Sequence, residues 1–142
     1  MSVFCLILTT IITTLGCGSG PRMQPVTGTV TYKGAPVVGA NVTLNVVGET
    51  AEAKPARGVT DANGKFSVKT YFAPGDDRAG ALLGHYKITL EKFPQVSGIA
   101  DPYKPGGIVK NELPAKYASV QQSPFEKEVT AGSNDFTLEL VD

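Results

Sequence analysis

From Pro25 onward apolar residues recur at every second position in several short runs. In Val26–Tyr32, Val26, Val30 and Tyr32 share one face and Thr27, Thr29 and Thr31 the other. In Asn41–Val46, Val42, Leu44 and Val46 oppose Asn41, Thr43 and Asn45. Phe66 and Val68 oppose Lys65, Ser67 and Lys69; Tyr86, Ile88 and Leu90 oppose His85, Lys87, Thr89 and Glu91. Phe136, Leu138 and Leu140 oppose Asp135, Thr137 and Glu139. Period two is the signature of strands with one buried and one wet face. With the weaker runs 56–60 and 125–130 the pattern predicts about seven strands. No stretch carries helical periodicity. Seven half-apolar strands bury their inner faces most economically as two packed antiparallel sheets, an all-β sandwich.

The segments between the runs agree. Lys33-Gly34-Ala35-Pro36 separates the first two strands, and Ala131-Gly132-Ser133-Asn134 joins the last two. Asp61-Ala62-Asn63-Gly64 lies between Val59 and Phe66, and Asn-Gly is the strongest short hairpin signal. Asp61 is placed to accept backbone N–H groups across its turn.

The N-terminus reads differently. Residues 3–15, VFCLILTTIITTL, are uncharged and apolar, shorter than the roughly 20 residues of a membrane-spanning helix. They match the apolar core of an export signal, and Gly16-Cys17-Gly18-Ser19-Gly20-Pro21 follows at once. A buried apolar segment with an incidental Cys, or an ordinary signal peptide cut near Gly20, would give the same apolar run. Leu15-Gly16-Cys17 at its end resembles a bacterial lipobox. That resemblance implies a signal peptide over 1–16, a diacylglycerol on the Cys17 thiol, and a flexible lipid-anchored tether over 17–24. Membrane lipid would then be the first partner. The only other cysteine is Cys5, so no cysteine pair would remain for a structural disulfide after processing.

The chain has 142 residues, 13 basic and 13 acidic, with no basic stripe, which argues against nucleic acid as a partner. Sixteen glycines and ten prolines fit a turn-rich β protein.

Val26-Thr27-Gly28-Thr29-Val30, then Gly34-Ala35-Pro36-Val37-Val38-Gly39-Ala40-Asn41-Val42, resembles the opening of carboxypeptidase regulatory-like domains. Thr60-Asp61-Ala62-Asn63-Gly64-Lys65-Phe66 and Gly84-His85-Tyr86-Lys87-Ile88 are similar to later elements of that family. With the lipobox ahead and Leu113-Pro114-Ala115-Lys116-Tyr117 behind, the whole resembles small envelope lipoproteins of planctomycete-type bacteria. The resemblance covers most of residues 25–142. It implies a transthyretin-like, Greek-key β-sandwich exported to the periplasmic or surface face of the envelope. It also implies a non-catalytic module that needs no cofactor.

Candidate chemistry is sparse. His85 is the only histidine and its phase turns it outward, so neither a Ser-His-Asp triad nor a zinc site is expected. Residues 61–64 lack the full pattern of a calcium loop and read as a turn. Asp76 and Asp77 read as a charged loop tip that Arg78 can balance. The remaining signal is residues 93–124, which hold Pro94, Pro102, Pro105, Pro114 and Pro124. So long a connection is often functional. Tyr103, Lys104, Lys116 and Tyr117 are its candidate recognition residues, since tyrosine gives large contact area at low entropy cost. The other reading is a cover strapped over a sheet edge. Two functions follow: an interaction or structural module contacting an envelope protein or wall polysaccharide, and a glycan- or solute-binding lipoprotein serving uptake or degradation.

Overall fold

The computed structural model describes residues 20–48, 53–94 and 110–142. They form ten strands and one short 3₁₀ turn. The strands are β1 (Val26–Tyr32), β2 (Ala35–Pro36), β3 (Asn41–Val46), β4 (Ala56–Val59), β5 (Lys65–Ser67), β6 (Lys69–Ala73), β7 (Asp76–Ala79), β8 (Gly84–Glu91), β9 (Glu126–Val129) and β10 (Asn134–Leu140). The turn η1 spans Ala115–Tyr117.

Two sheets pack face to face, so the all-β sandwich holds. The larger runs β7-β6-β4-β3-β8-β9 and is antiparallel throughout. In the smaller, β1 is central, with β10 on one side and β2 and β5 sharing the other. The inner faces supply the core. Val26, Val30, Phe136, Leu138 and Leu140 come from the small sheet, and Val42, Leu44, Tyr86, Ile88 and Leu90 from the large one. Each such side chain contributes about 1.5–3 kcal/mol on burial. The alternation read from the sequence is the one observed, and His85 does face outward.

Four features depart from the expectation. Ten strands form where about seven were expected, because β2 and β7 add to the pattern and one run divides; Asp76 and Asp77 thus lie in strand β7 and not at a loop tip. β1 and β10 pair in parallel, from Val26↔Asn134 to Tyr32↔Leu140, so the small sheet is not wholly antiparallel. The run 65–71 is two strands, because the chain crosses from the small sheet to the large one at Val68. Sandwich corners of this kind need close backbone approach. Gly58 supplies it: a Cβ there would lie 2.4 Å from the Ser67 carbonyl oxygen. Finally, Asp61-Ala62-Asn63-Gly64 makes a tight turn but no hairpin within one sheet. β4 pairs with β3 and β6, and β5 pairs with β1. The turn carries the chain between layers, and Asp61 Oδ1 accepts the N–H groups of Asn63 and Lys65 at 2.8 and 2.9 Å, as expected.

The parallel β1–β10 pair gives the sandwich two poles. The chain arrives at the first through Gly20–Gln24 and starts β1 there; β10 starts there too. Both strands end at the second pole, at Tyr32 and Leu140. Seven residues of extended chain separate the poles by roughly 23 Å.

Candidate functional site

The second pole, distal to the arriving chain, gathers most of the polar chemistry. It begins with the β1–β2 turn. Lys33 and Gly34 have φ of 51° and 81°, the all-positive geometry that matches strand twist in two-residue hairpins. Lys33 is the only non-glycine residue with positive φ among those described. A side chain there costs about 1–2 kcal/mol, and such cost tends to be retained where a residue must be presented. Lys33 Nζ and Tyr32 Oη both meet the Asp142 carboxylate.

Opposite this turn, residues 110–115 are sewn to the end of β8. Asn111 Oδ1 accepts the N–H groups of Lys92 (2.9 Å) and Leu113 (3.1 Å), and the Glu112 N–H donates to the Lys92 carbonyl at 2.8 Å. Lys92 Nζ pairs with Glu112 Oε2 at 2.8 Å. Leu113 drops into the core as the anchor. Asn111 Nδ2 is buried with no hydrogen-bond partner among the described residues.

Two hollows flank the sewn segment. One, of about 270 Å³, lies between Tyr32, Pro36 and Val37 on one wall and Lys92, Glu112 and Leu113 on the other. The second, of about 430 Å³, continues past Tyr32 along Lys110, Asn111, Pro114 and Ala115. Together they make an open groove with a partly apolar floor, lined by the side chains of Lys92, Lys110 and Glu112, with the Tyr32–Lys33–Asp142 cluster adjoining it at Tyr32.

Hydrogen bonding sets the protonation of the adjoining Tyr32–Lys33–Asp142 cluster. Hydrogen bonding from Lys33 and Tyr32 holds the Asp142 carboxyl below the usual carboxylate range. The same contacts, led by the bond to Asp142, push the Tyr32 hydroxyl and the Lys33 ammonium above their ordinary values. Each shift moves its group away from neutrality, the reverse of what a general acid or base requires. The groove therefore offers fixed charges and hydrogen bonds, which suit binding. Elsewhere, His85 is exposed and 3.8 Å from Glu128. No cluster of three His, Cys, Asp or Glu side chains converges among the described residues.

Of the sequence candidates, Cys17, Tyr103 and Lys104 lie outside the described residues. Lys116 is half-buried, its Nζ 5.1 Å from the Tyr117 ring centre. It adds to the positive field on Asp142. Tyr117 itself is 1% exposed. Its ring stacks on Phe125 at 5.5 Å, and its hydroxyl donates to the Val141 carbonyl while accepting the Val141 N–H, both at 2.8 Å. The reading of Tyr117 as a surface recognition residue is therefore replaced: it is an interior strap across the end of β10. Sequence reasoning missed Tyr32, Lys33, Lys92, Asn111, Glu112 and Asp142. The Lys33-Gly34 turn was visible, but nothing local told that Asp142 would come to rest beside it.

Around the opposite pole, Gln24 is clasped by the backbone. Its N–H donates to Ala81 O at 2.8 Å and its carbonyl accepts the Ala81 N–H at 3.0 Å. Gln24 Oε1 accepts the Gly132 N–H at 2.9 Å. Asp76 and Arg78 form a two-pronged ion pair at 2.9 Å, as the sequence suggested. No helix among the described residues is long and apolar enough to cross a membrane.

No family model, curated protein or solved structure matches this chain.

Proposed function

We propose that the protein is a non-catalytic interaction module of the cell envelope, held to a membrane by lipid on Cys17 and presenting its distal groove outward. The observation that carries this reading is the separation of the poles. The chain that leads back to Cys17 leaves from one pole, and the Tyr32–Glu112 groove opens at the other. A short tether on a rigid sandwich would then hold the groove about one domain length from the bilayer. Two acyl chains or more give stable anchoring at about 0.8 kcal/mol per buried CH₂. The shifted groups of the groove favour binding over acid–base catalysis, which supports a module over an enzyme. The carboxypeptidase regulatory-like resemblance fits the same role, as one candidate family for a sandwich of this kind. The partner class is an envelope protein or wall polysaccharide.

The test has two arms. Cys17→Ser is expected to move the full chain from the membrane fraction to the soluble one; full retention in the membrane sinks the anchor. A photo-crosslinking residue at Pro36, in the groove, is expected to capture envelope protein or wall polymer in cells, while one at Leu83, near the other pole, captures lipid or nothing. Equal capture of the same partner at both positions would remove the distal groove as the displayed site.

A further inference from the structure

A second surface runs along the side of the molecule, on the edge of β10 that no other described strand pairs with, and it does not depend on the anchor. In a parallel ladder alternate residues turn both N–H and C=O toward the neighbouring strand. The Asn134 N–H donates to Pro25 O at 3.0 Å, and Leu140 O accepts the Lys33 N–H at 3.2 Å. The even-numbered residues of β10 thus face β1. Asp135, Thr137, Glu139 and then Val141 turn their backbone groups the other way.

At Val141 both groups are taken by the Tyr117 hydroxyl, which stands where a neighbouring strand would. At Asp135, Thr137 and Glu139 no backbone partner exists among the described residues. Folded proteins blunt open edges with charged side chains, lysine above all, and with proline, bulges or covers; on β10 the charges are Asp135 and Glu139, which repel acidic strands and leave basic ones free to pair. β10 has no proline, no lysine and an unbroken seven-residue register. The other outer edges differ: β7 follows a register shift between Tyr71 and Ala73, β9 is only four residues long with Lys127 at its middle, and β2 and β5 are two and three residues long.

We infer that the β10 edge accepts an extended peptide segment of a partner protein as an added strand, with Lys or Arg at alternate positions. Backbone pairing with Asp135, Thr137 and Glu139 would supply affinity, and the side chains would supply choice. Those side chains are exposed and carry two carboxylates and one hydroxyl. Basic residues opposite Asp135 and Glu139 complement them. A second copy of this chain fits poorly: antiparallel self-pairing about Thr137 would set Asp135 against Glu139 twice, and like charges directly opposite destabilise. Tyr117 ends the site at one side, so the incoming strand stops short of Val141.

Amide exchange of the full chain, followed residue by residue, tests this. The probe is a synthetic acetylated Lys-Thr-Lys-Val-Lys peptide at millimolar concentration. The Asp135, Thr137 and Glu139 amides should slow about tenfold, while those of Asn134, Phe136 and Leu138 stay unchanged. The effect should weaken with salt and vanish when the peptide is N-methylated on alternate nitrogens. Thr137→Pro removes one outward N–H, where a sheet tolerates proline, and should abolish protection. The double variant Asp135→Lys, Glu139→Lys leaves the backbone intact and should invert the preference toward an acidic peptide. Absence of slowing with the basic peptide overturns the proposal, as does equal slowing by a Glu-Thr-Glu-Val-Glu peptide. Protection that rises with protein concentration in the absence of peptide assigns the edge to a second copy and overturns it equally.

Discussion

The two poles of the sandwich are held by different means. At the pole where the chain arrives, Gln24 is fixed by backbone bonds to Ala81 and by the Gly132 N–H on its side-chain oxygen. Asn134 adds a second knot, its amide bonding Thr130 and Gly132 carbonyls at 3.0 Å. At the distal pole two ion pairs, Lys33 with Asp142 and Lys92 with Glu112, are added to the hydrogen bonds of Asn111 and Tyr117. Backbone clasps ignore pH and salt but tolerate no added atoms. Exposed ion pairs tolerate substitution and yield to salt. A module tethered at one end and binding at the other would divide its construction along these lines, rigid where it is held and adjustable where it meets a partner.

The sharpest way to break this contrast is Tyr117, because the distal charges rest on ground that its ring secures. Tyr117→Ala removes a buried ring stacked on Phe125 and should cost about 3–5 kcal/mol. Tyr117→Phe keeps the packing but leaves the Val141 N–H and carbonyl without their partner, about 1–3 kcal/mol. Urea unfolding of both variants checks this. If alanine costs no more than phenylalanine, the ring does not hold the distal end.

Glycines then compare the poles directly. Gly80 and Gly34 both have positive φ, 97° and 81°. A Cβ on Gly34 would meet nothing, whereas on Gly80 it would lie 2.1 Å from the Gln24 carbonyl oxygen. Gly34→Ala should therefore cost only its left-handed strain, about 1–2 kcal/mol. Gly80→Ala should add an overpacking cost of about 1–3 kcal/mol. Thermal midpoints of the two variants measure the difference, and equal midpoints would mean the clasp yields without cost.

That asymmetry also marks what the sequence could carry. Faces were legible, because period two records which side of a strand is wet: Val26, Leu44, Tyr86 and Leu138 point inward as read. The Asp61 turn was legible, since its hydrogen bonds are local. Pairing was not. β1 meets β10 across more than a hundred residues, and neither strand's alternation says whether the match is parallel. The break at Val68 hid for a related reason: a strand that changes sheets keeps its alternation through the corner. Tyr117 misled because a tyrosine among prolines looks exposed until its ring stacks on Phe125 in the core and its hydroxyl reaches the backbone of Val141. The distal groove is built wholly of such long-range meetings, which is why none of its six polar residues stood out.

The smallest effect is the most discriminating for the contrast of poles. Asp142 and Lys33 are solvent-exposed and Tyr32 is half-buried, so their linkage is weak, but its sign is fixed. The Asp142 carboxyl is held below its ordinary value, so its contribution is present above about pH 4 and is lost as pH falls through the lowered value. Lys33 and Tyr32 are raised, so theirs is present below about pH 10 and is lost as pH rises through the raised values. Asp142→Asn removes the carboxylate that couples them. It should lower the urea midpoint slightly near neutrality, and the gap from the parent protein should close as pH falls through the lowered Asp142 value. The gap should also shrink in about 1 M salt, where charges are screened beyond roughly 3 Å. The Tyr117→Phe penalty, a matter of buried hydrogen bonds, should not shrink in the same salt. If both penalties respond alike, the distal pole is not held by exposed charge, and the proposed division between a rigid held end and an adjustable displayed end fails with it.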